Sequence, residues 1–273
     1  MRMARGAALL LVLWLVLLLS GLVAGYALSA RVESMQGNGV ARATVAGEAA
    51  RAGIEYAASR LLDPDPARRW VADGRSYRFA LDGIAIDVAV RDEAGKIDLN
   101  AASFELLQAF FEALGEPRAA ATRLAAAVVD WRDADSLGQP AGSAEDADYA
   151  AAGLDGGAKD AHFDTVSELA QVLGMRPALQ AAAAPHLTVY GGRALPDAGV
   201  ADAVVRKALG LSAQAVPVDP AAPPAPGSGT YSIESRARLA DGRSARWSVV
   251  LRMGSSGLPG STYTTLHWAA GEP

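Results

Sequence analysis

The chain opens with an unbroken apolar run. Residues 7–28, AALLLVLWLVLLLSGLVAGYAL, carry no charge, and a helix of that length covers the ~30 Å hydrocarbon core of a bilayer. Residues 29–62 contain no proline and are rich in alanine, arginine and glutamate. Val32, Met35, Val45, Ala49, Ala52, Tyr56 and Leu61 recur at helical intervals, mostly along one face, and Arg51 and Glu55 fall at i,i+4. The pattern predicts a helix that leaves the membrane as an amphipathic rod. It should stop at Asp63-Pro64-Asp65-Pro66, where proline removes the N–H that the ladder needs. Gly37, Gly39, Gly47 and Gly53 weaken the rod locally, so kinks are expected.

The pattern then changes to period two. Tyr77 to Leu81 and Ile84 to Val90 alternate around Asp82-Gly83, a short-hairpin signal. Tyr231 to Leu239 and Ser244 to Arg252 alternate around Asp241-Gly242, and Tyr263 to Trp268 offers a last strand. A lone hairpin is only marginally stable in water, so both hairpins are expected in one antiparallel sheet against the rod, with the chain leaving near Arg91 and returning near Thr230. The block between them reads as helical. FELLQAFFEALG presents Leu106, Leu107, Phe110, Phe111 and Leu114, with Gly115 as C-cap. Pro117 opens a second helix to about Arg132, and Thr165-Val166-Ser167-Glu168 fits a capping box for a third that ends at Gly174. Pro177 starts a fourth, residues 186–190 are extended, and residues 200–209 form a fifth. Residues 216–229, VPVDPAAPPAPGSG, read as a linker.

Composition narrows the chemistry. The formal charge is −5, which argues against a general affinity for nucleic acid. With no cysteine, disulfides, thiolate metal sites and cysteine nucleophiles are excluded. His162, His186 and His267 are too far apart for a metal or catalytic motif, and no GxSxG occurs. One feature asks for chemistry. Residues 130–164 read as a long acidic loop carrying Asp130, Asp133, Asp135, Glu145, Asp146, Asp148, Asp155, Asp160 and Asp164 against Arg132 and Lys159. Loops this long need a reason. A hard cation such as calcium, which takes several oxygen ligands, would order it, and Asp133, Asp135, Glu145, Asp146 and Asp148 are the candidate ligands. The order of acids is not that of an EF-hand, so a solvated loop and a carboxylate pair remain as other readings. The amino end also has three readings: a cleaved secretory signal with a cut near Ala30, a plain anchor, or a helix kept after a cytoplasmic cut behind Gly6. Arg2 and Arg5 hold the short leading end in the cytoplasm in the last two.

Several stretches together resemble protein K, the minor pseudopilin of the type II (general) secretion system. They are Arg5-Gly6 before AALLLVLWLVLLL, residues 92–102 (DEAGKIDLNAA), residues 130–135 (DWRDAD), residues 144–149 (AEDADY), residues 163–169 (FDTVSEL) with Val172-Leu173-Gly174-Met175, and Leu187-Thr188-Val189-Tyr190. Type IV prepilin-like proteins are cut after such a glycine. The resemblance therefore implies cleavage after Gly6 by prepilin peptidase and methylation of Ala7. It implies an α+β fold: a long transmembrane and amphipathic helix on a pilin-like antiparallel sheet, with a large inserted all-α domain of SAM-like or helix-hairpin-helix type. The expected organisation is a leader (1–6), membrane helix (7–28), first part of the pilin-like core (29–96), helical insert (97–210), linker (211–229) and closing strands (230–273).

Functionally, the resemblance implies a non-enzymatic place at the tip of the pseudopilus, in assembly initiation and in export of folded periplasmic proteins across the outer membrane. The partners would be other minor pseudopilins, the major pseudopilin and prepilin peptidase; no nucleic acid is expected. The protein would sit in the inner membrane with its globular part in the periplasm. The family's calcium binding carries over to the Asp133 to Asp148 segment. The fifth mature residue would be Leu11, where most pilin-like subunits carry a glutamate; a tip subunit has no neighbour above whose amino terminus would need it. The chain departs from the family at Pro196-Asp197-Ala198-Gly199, where an Asn-Thr-Ala-like segment is usual, and at Asp148-Tyr149, where paired aromatics are common. The helical unit also resembles the helix-hairpin-helix modules of DNA-uptake proteins, which would make the chain a membrane-anchored DNA receptor. In that reading Gly115-Glu116-Pro117-Arg118 puts an acid where a phosphate site needs a cation.

Overall fold

The computed structural model describes residues 4–135, 137–140, 142, 144–154, 156–212, 227–254 and 262–271. Residues 1–3 of the expected leader and residues 213–226 of the expected linker lie outside them.

Helix α1 (Ala4–Leu61) runs unbroken through all four glycines and ends before Asp63-Pro64, as the proline pattern predicts. Its second half packs on a five-stranded antiparallel sheet built from β1 (Asp73–Leu81), β2 (Ile84–Asp92), β5 (Thr230–Arg238), β6 (Ser244–Met253) and β7 (Tyr263–Gly271), in the spatial order β1-β2-β5-β6-β7. The β1–β2 turn is the expected one: Asp82 (φ 48°) and Gly83 (φ 78°) are both left-handed and pair Leu81 with Ile84.

The buried stripe of α1 overlaps the expected face only in part: Ala49 is buried and Leu61 half-buried against the sheet, as expected. Ala46, Ala49, Ala50, Ile54, Ala57 and Ala58 are buried, while Val32, Met35, Val45 and Tyr56 face outward. The reason is distance. A stripe of small side chains lets the helix backbone approach the sheet, and bulky residues on that face would hold it off. Gly53 marks the closest approach: a Cβ there would lie 2.2 Å from Ser235 Oγ and 2.9 Å from Ile86 Cγ2. Across this contact Ile86, Val88, Val90, Ile233, Val249 and Leu251 supply the sheet's half of the core.

The chain leaves the sheet after β2 and returns at β5, its neighbour, with Asp92 opposite Tyr231. Between them lie β3 (Ile97–Asp98), α2 (Phe104–Ala113), α3 (Arg118–Arg132), α4 (Asp146–Ala151), α5 (Pro177–Ala183), β4 (Leu187–Thr188) and α6 (Ala203–Ala208). They enclose a second core around Leu107, Phe110, Phe111, Val128, Trp131 and Leu169. Gly115 (φ 100°) closes α2 as expected, with its N–H on Glu112 O and the N–H of Glu116 on Phe111 O. The third expected helix is a 3₁₀ segment (Val166–Gln171) that does carry its capping box, and α4 appears inside what reads as loop. The extended piece at residues 186–190 pairs in parallel as β4 with β3.

Buried Asp92 joins the two cores: its carboxylate accepts from Ala94 N–H at 2.9 Å, Ser228 N–H at 2.8 Å and the Ser228 hydroxyl. Beside it, Lys96 Nζ bridges buried Glu93 and Ser232 Oγ (2.9 Å).

Candidate metal centre and membrane segment

The acidic segment begins on the last turn of α3. Asp130 lies in that turn and Asp133, three residues on, is the C-cap with extended backbone. Asp130 is fully buried, and its two oxygens accept from Gln139 N–H (3.2 Å) and Ala144 N–H (2.8 Å), which draws the loop back over the helix end. That fold-back sets Glu145, the N-cap of α4, beside the two aspartates. One carboxylate oxygen from each of Asp130, Asp133 and Glu145 lies within 4.8 Å of the others. Asp133 Oδ1 and Glu145 Oε1 are buried and accept no hydrogen bond. Among the described residues no lysine or arginine ion-pairs with the three.

Arg132 turns the other way and donates to the carbonyls of Leu99 and Ala102. All three carboxyls are pushed above the usual carboxylate range. Burial is the main cause at each; neighbouring carboxylates add to it, Asp148 at Asp130, Asp135 at Asp133, and Asp130 at Glu145. Asp133 Oδ1 and Glu145 Oε1, buried without a donor and facing the Asp130 carboxylate, are costly unless a cation sits among them. An all-oxygen donor set suits a hard cation such as calcium.

Of the five ligands expected from sequence, the structure brings together Asp133 and Glu145. Asp148 Oδ2 accepts from the Glu145 N–H (3.1 Å) in the capping box of α4, Asp135 Oδ1 accepts from Leu137 N–H (2.8 Å), and the Asp146 side chain lies against Gly157. Sequence reasoning left out Asp130. Its i,i+3 spacing to Asp133 at a helix end was the available signal.

The neighbouring motifs prove to be architectural. Buried Asp98 accepts from the N–H groups of Asn100 (2.8 Å) and Gly192 (2.6 Å). The Asn100 amide pairs with both backbone groups of Phe163, at 2.9 and 2.8 Å. Lys159 bridges Asp164 (2.6 Å) and Glu168 (2.7 Å). Burial works against ionisation of Glu168, but the Lys159 bond and backbone donors outweigh it and hold its carboxyl below the usual range. Glu116, the acid that the sequence places where the alternative helix-hairpin-helix reading would need a cation, forms an ion pair with Arg176.

Among the described residues, α1 is the one helix long and apolar enough to cross a membrane, and its apolar window is bare of tertiary packing. Gly6 and Ala7 fall in its opening turns.

Three comparisons bear on identity. Residues 78–192 match the family model of "Type II secretion system (T2SS), protein K". No curated protein sequence matches the chain. The fold is similar to a chain of the solved GspK-GspI-GspJ complex from the type 2 secretion system of enterotoxigenic Escherichia coli, with a TM-score of 0.63 and 18% identity, over 89% of this chain and 100% of that one. The matched residues run from within β1 through most of the helical insert and include the acidic centre; over residues 78–192 the chain carries the pattern of type II secretion system protein K, and its fold as a whole is similar to that of GspK.

Proposed function

We propose that this chain is a minor pseudopilin at the tip of a type II secretion pseudopilus. In this role it initiates pseudopilus assembly and serves the export of folded periplasmic proteins across the outer membrane. The observation that carries the reading is the division of α1: a bare apolar half, then a half sealed against the sheet. The first half anchors the subunit in the inner membrane and passes to the fibre core on assembly. The second fixes the periplasmic domains rigidly to it. The similar Escherichia coli chain was solved in complex with GspI and GspJ; the counterparts of those two are the partners we assign here, with the major pseudopilin below them. The role is structural, and no catalytic residue is assigned.

Prepilin peptidase cleaves after Gly6 in this reading, and Ala7 becomes the methylated amino terminus. Calcium occupies the acidic centre, held by Asp130, Asp133 and Glu145; it would supply the positive charge that those carboxylates lack and pin α4 to the end of α3. The test of the role is the intact mass of the membrane-extracted protein from cells with and without prepilin peptidase. A chain that begins at methylated Ala7 only when the peptidase is present is the expected result. A chain that begins near Ser29 or Arg31 makes it an ordinary exported protein and ends the proposal.

A further inference from the structure

The sheet has a second face, turned away from α1. Side chains alternate along a strand, so the residues between the buried ones define it. On this face stand Arg78, Arg91, Arg236, Arg238, Arg246 and Arg252, against the carboxylates of Asp87 and Glu234. Asp73 stands opposite Arg91 on the same face, and six arginines against three acids form a cationic surface on a chain whose formal charge is −5. Its floor between the arginines is low: Ser76, Ala85, Ala89, Ser232 and Ser248.

Two arginines are placed at a cost. Arg236 lies directly opposite Arg246 in the β5–β6 ladder, and like charges in that position destabilise a sheet. Arg78 pairs with Asp87 (2.6 Å) and Arg246 with Glu234 (2.7 Å); among the described residues Arg236 and Arg238 have no ion-pair partner. The helical insert walls the upper half of the face. Thr165, Gln180 and Tyr190 face Ala89, Arg91 and Ser232 across a cleft of about 580 Å³ whose lining also holds Glu93, Lys96 and Glu234; Arg236, Arg238 and Arg246 lie outside it, exposed on the rest of the face.

We propose that the open part of this face, beside the cleft, is a docking surface for an acidic segment of a partner protein, whose carboxylates seat on the forks of Arg236, Arg238 and Arg246. Distance decides against lipid. Trp247, next to Arg246, donates to Gly47 O of α1. Gly47 stands about 28 Å along the helix from Leu28, the end of the apolar run, and about 26 Å above it at a typical tilt. The headgroup layer takes up about 5–7 Å of this. The remaining gap of roughly 20 Å exceeds two Debye lengths at physiological salt. Charge spacing decides against nucleic acid. A nucleic-acid strand carries a charge about every 3.4 Å and would run over Asp87 and Glu234, whereas a peptide can place carboxylates on the arginines and small residues between. Each fork offers a carboxylate two parallel donors.

The proposal goes beyond the pseudopilin role and does not depend on processing at Gly6, so its failure leaves that role standing. The test uses the full chain in a non-ionic detergent and a fluorescein-labelled peptide of alternating glutamate and alanine, read by anisotropy. Binding should weaken at least tenfold in the Arg236→Ala/Arg246→Ala variant, weaken with added salt, and stay unchanged in Arg118→Ala, an exposed arginine on the insert. Arg236→Thr should lose binding without a lower melting temperature, since it relieves the opposition to Arg246. No binding of the acidic peptide, or binding indifferent to the β5 and β6 arginines, overturns the proposal. So does tighter capture, through the same arginines, of a 20-nucleotide single strand or of phosphatidylglycerol vesicles.

Discussion

Gly53→Ala is the sharpest probe of how α1 meets the sheet. In an isolated helix the change stabilises by about 1 kcal/mol. Here the new methyl would sit 2.2 Å from Ser235 Oγ, 3.3 Å from Ser235 Cβ and 2.9 Å from Ile86 Cγ2. Overpacking of this kind costs about 1–3 kcal/mol, so the net expectation is a loss of about 1 kcal/mol. The nearest obstacle is removable. Ser235 Oγ is buried without a hydrogen-bond partner, so Ser235→Ala deletes an unsatisfied hydroxyl and should itself be neutral or stabilising. In that background the clash with Ile86 remains, but the worst contact is gone and the helical gain is kept. A double-mutant cycle should therefore give a coupling of about 1 kcal/mol or more, well above the ~0.3–0.5 kcal/mol scatter of independent sites. The assay is urea unfolding of the full chain in non-ionic detergent, followed by tryptophan fluorescence; Trp247 and Trp268 lie at this interface. If Gly53→Ala stabilises the wild type, or costs the same with and without Ser235, the close approach is not what keeps a glycine there.

Three further outcomes are expected. Calcium at 100 times its dissociation constant should stabilise the full chain by about 2.7 kcal/mol; chelation should reverse this, and Glu145→Gln should abolish the calcium-dependent shift in melting temperature. Asp92→Ala leaves the N–H groups of Ala94 and Ser228 without their acceptor, which costs about 1–3 kcal/mol and should show as faster proteolysis near residue 228 with unchanged helical content. At Asp202 burial raises the pKa, but the bond with His186 (2.5 Å) and the backbone donors Val204 and Val205 overcome it and depress the carboxyl below its ordinary value. Its contribution is then complete above the unfolded pKa of about 3.9 and is lost as pH falls through the lower, folded one. Asp202→Asn should flatten that part of the acid unfolding curve; an unchanged curve would refute the assignment.

Patterns with strong periodicity were legible. The apolar run, the proline stop, Asp82-Gly83 and the strands need only local rules, and each stands where those rules put it. The packed face of α1 was legible only in part, because hydrophobic periodicity ranks Val45 and Tyr56 above Ala46 and Ala50, while the sheet selects for small size. Helix α4 escaped for a related reason. Its six residues, DADYAA, are too few for a period, and its start is set by the Glu145–Asp148 capping box. In the acidic segment composition pointed to the right stretch of chain. Which carboxylates converge depends on Asp130 drawing residues 139 and 144 back over α3, a tertiary fact with no local signature.

The insertion of the helical domain between two hydrogen-bonded neighbours has a consequence for how the protein acquires its shape. Asp92 and Ser228 touch across a separation of 136 residues. Were the intervening chain unstructured, joining β2 to β5 would close a loop some six doublings longer than a two-residue hairpin. At about 0.6 kcal/mol per doubling that is an entropy penalty of about 4 kcal/mol. Once the insert has folded, its two ends already stand side by side and the penalty has been met inside it. The order of events is therefore biased: the insert, which carries its own core, matures first and then acts as a long-range turn for the sheet. The same geometry frees the insert to change in length and sequence over evolution, since the sheet registers only the spacing of its ends.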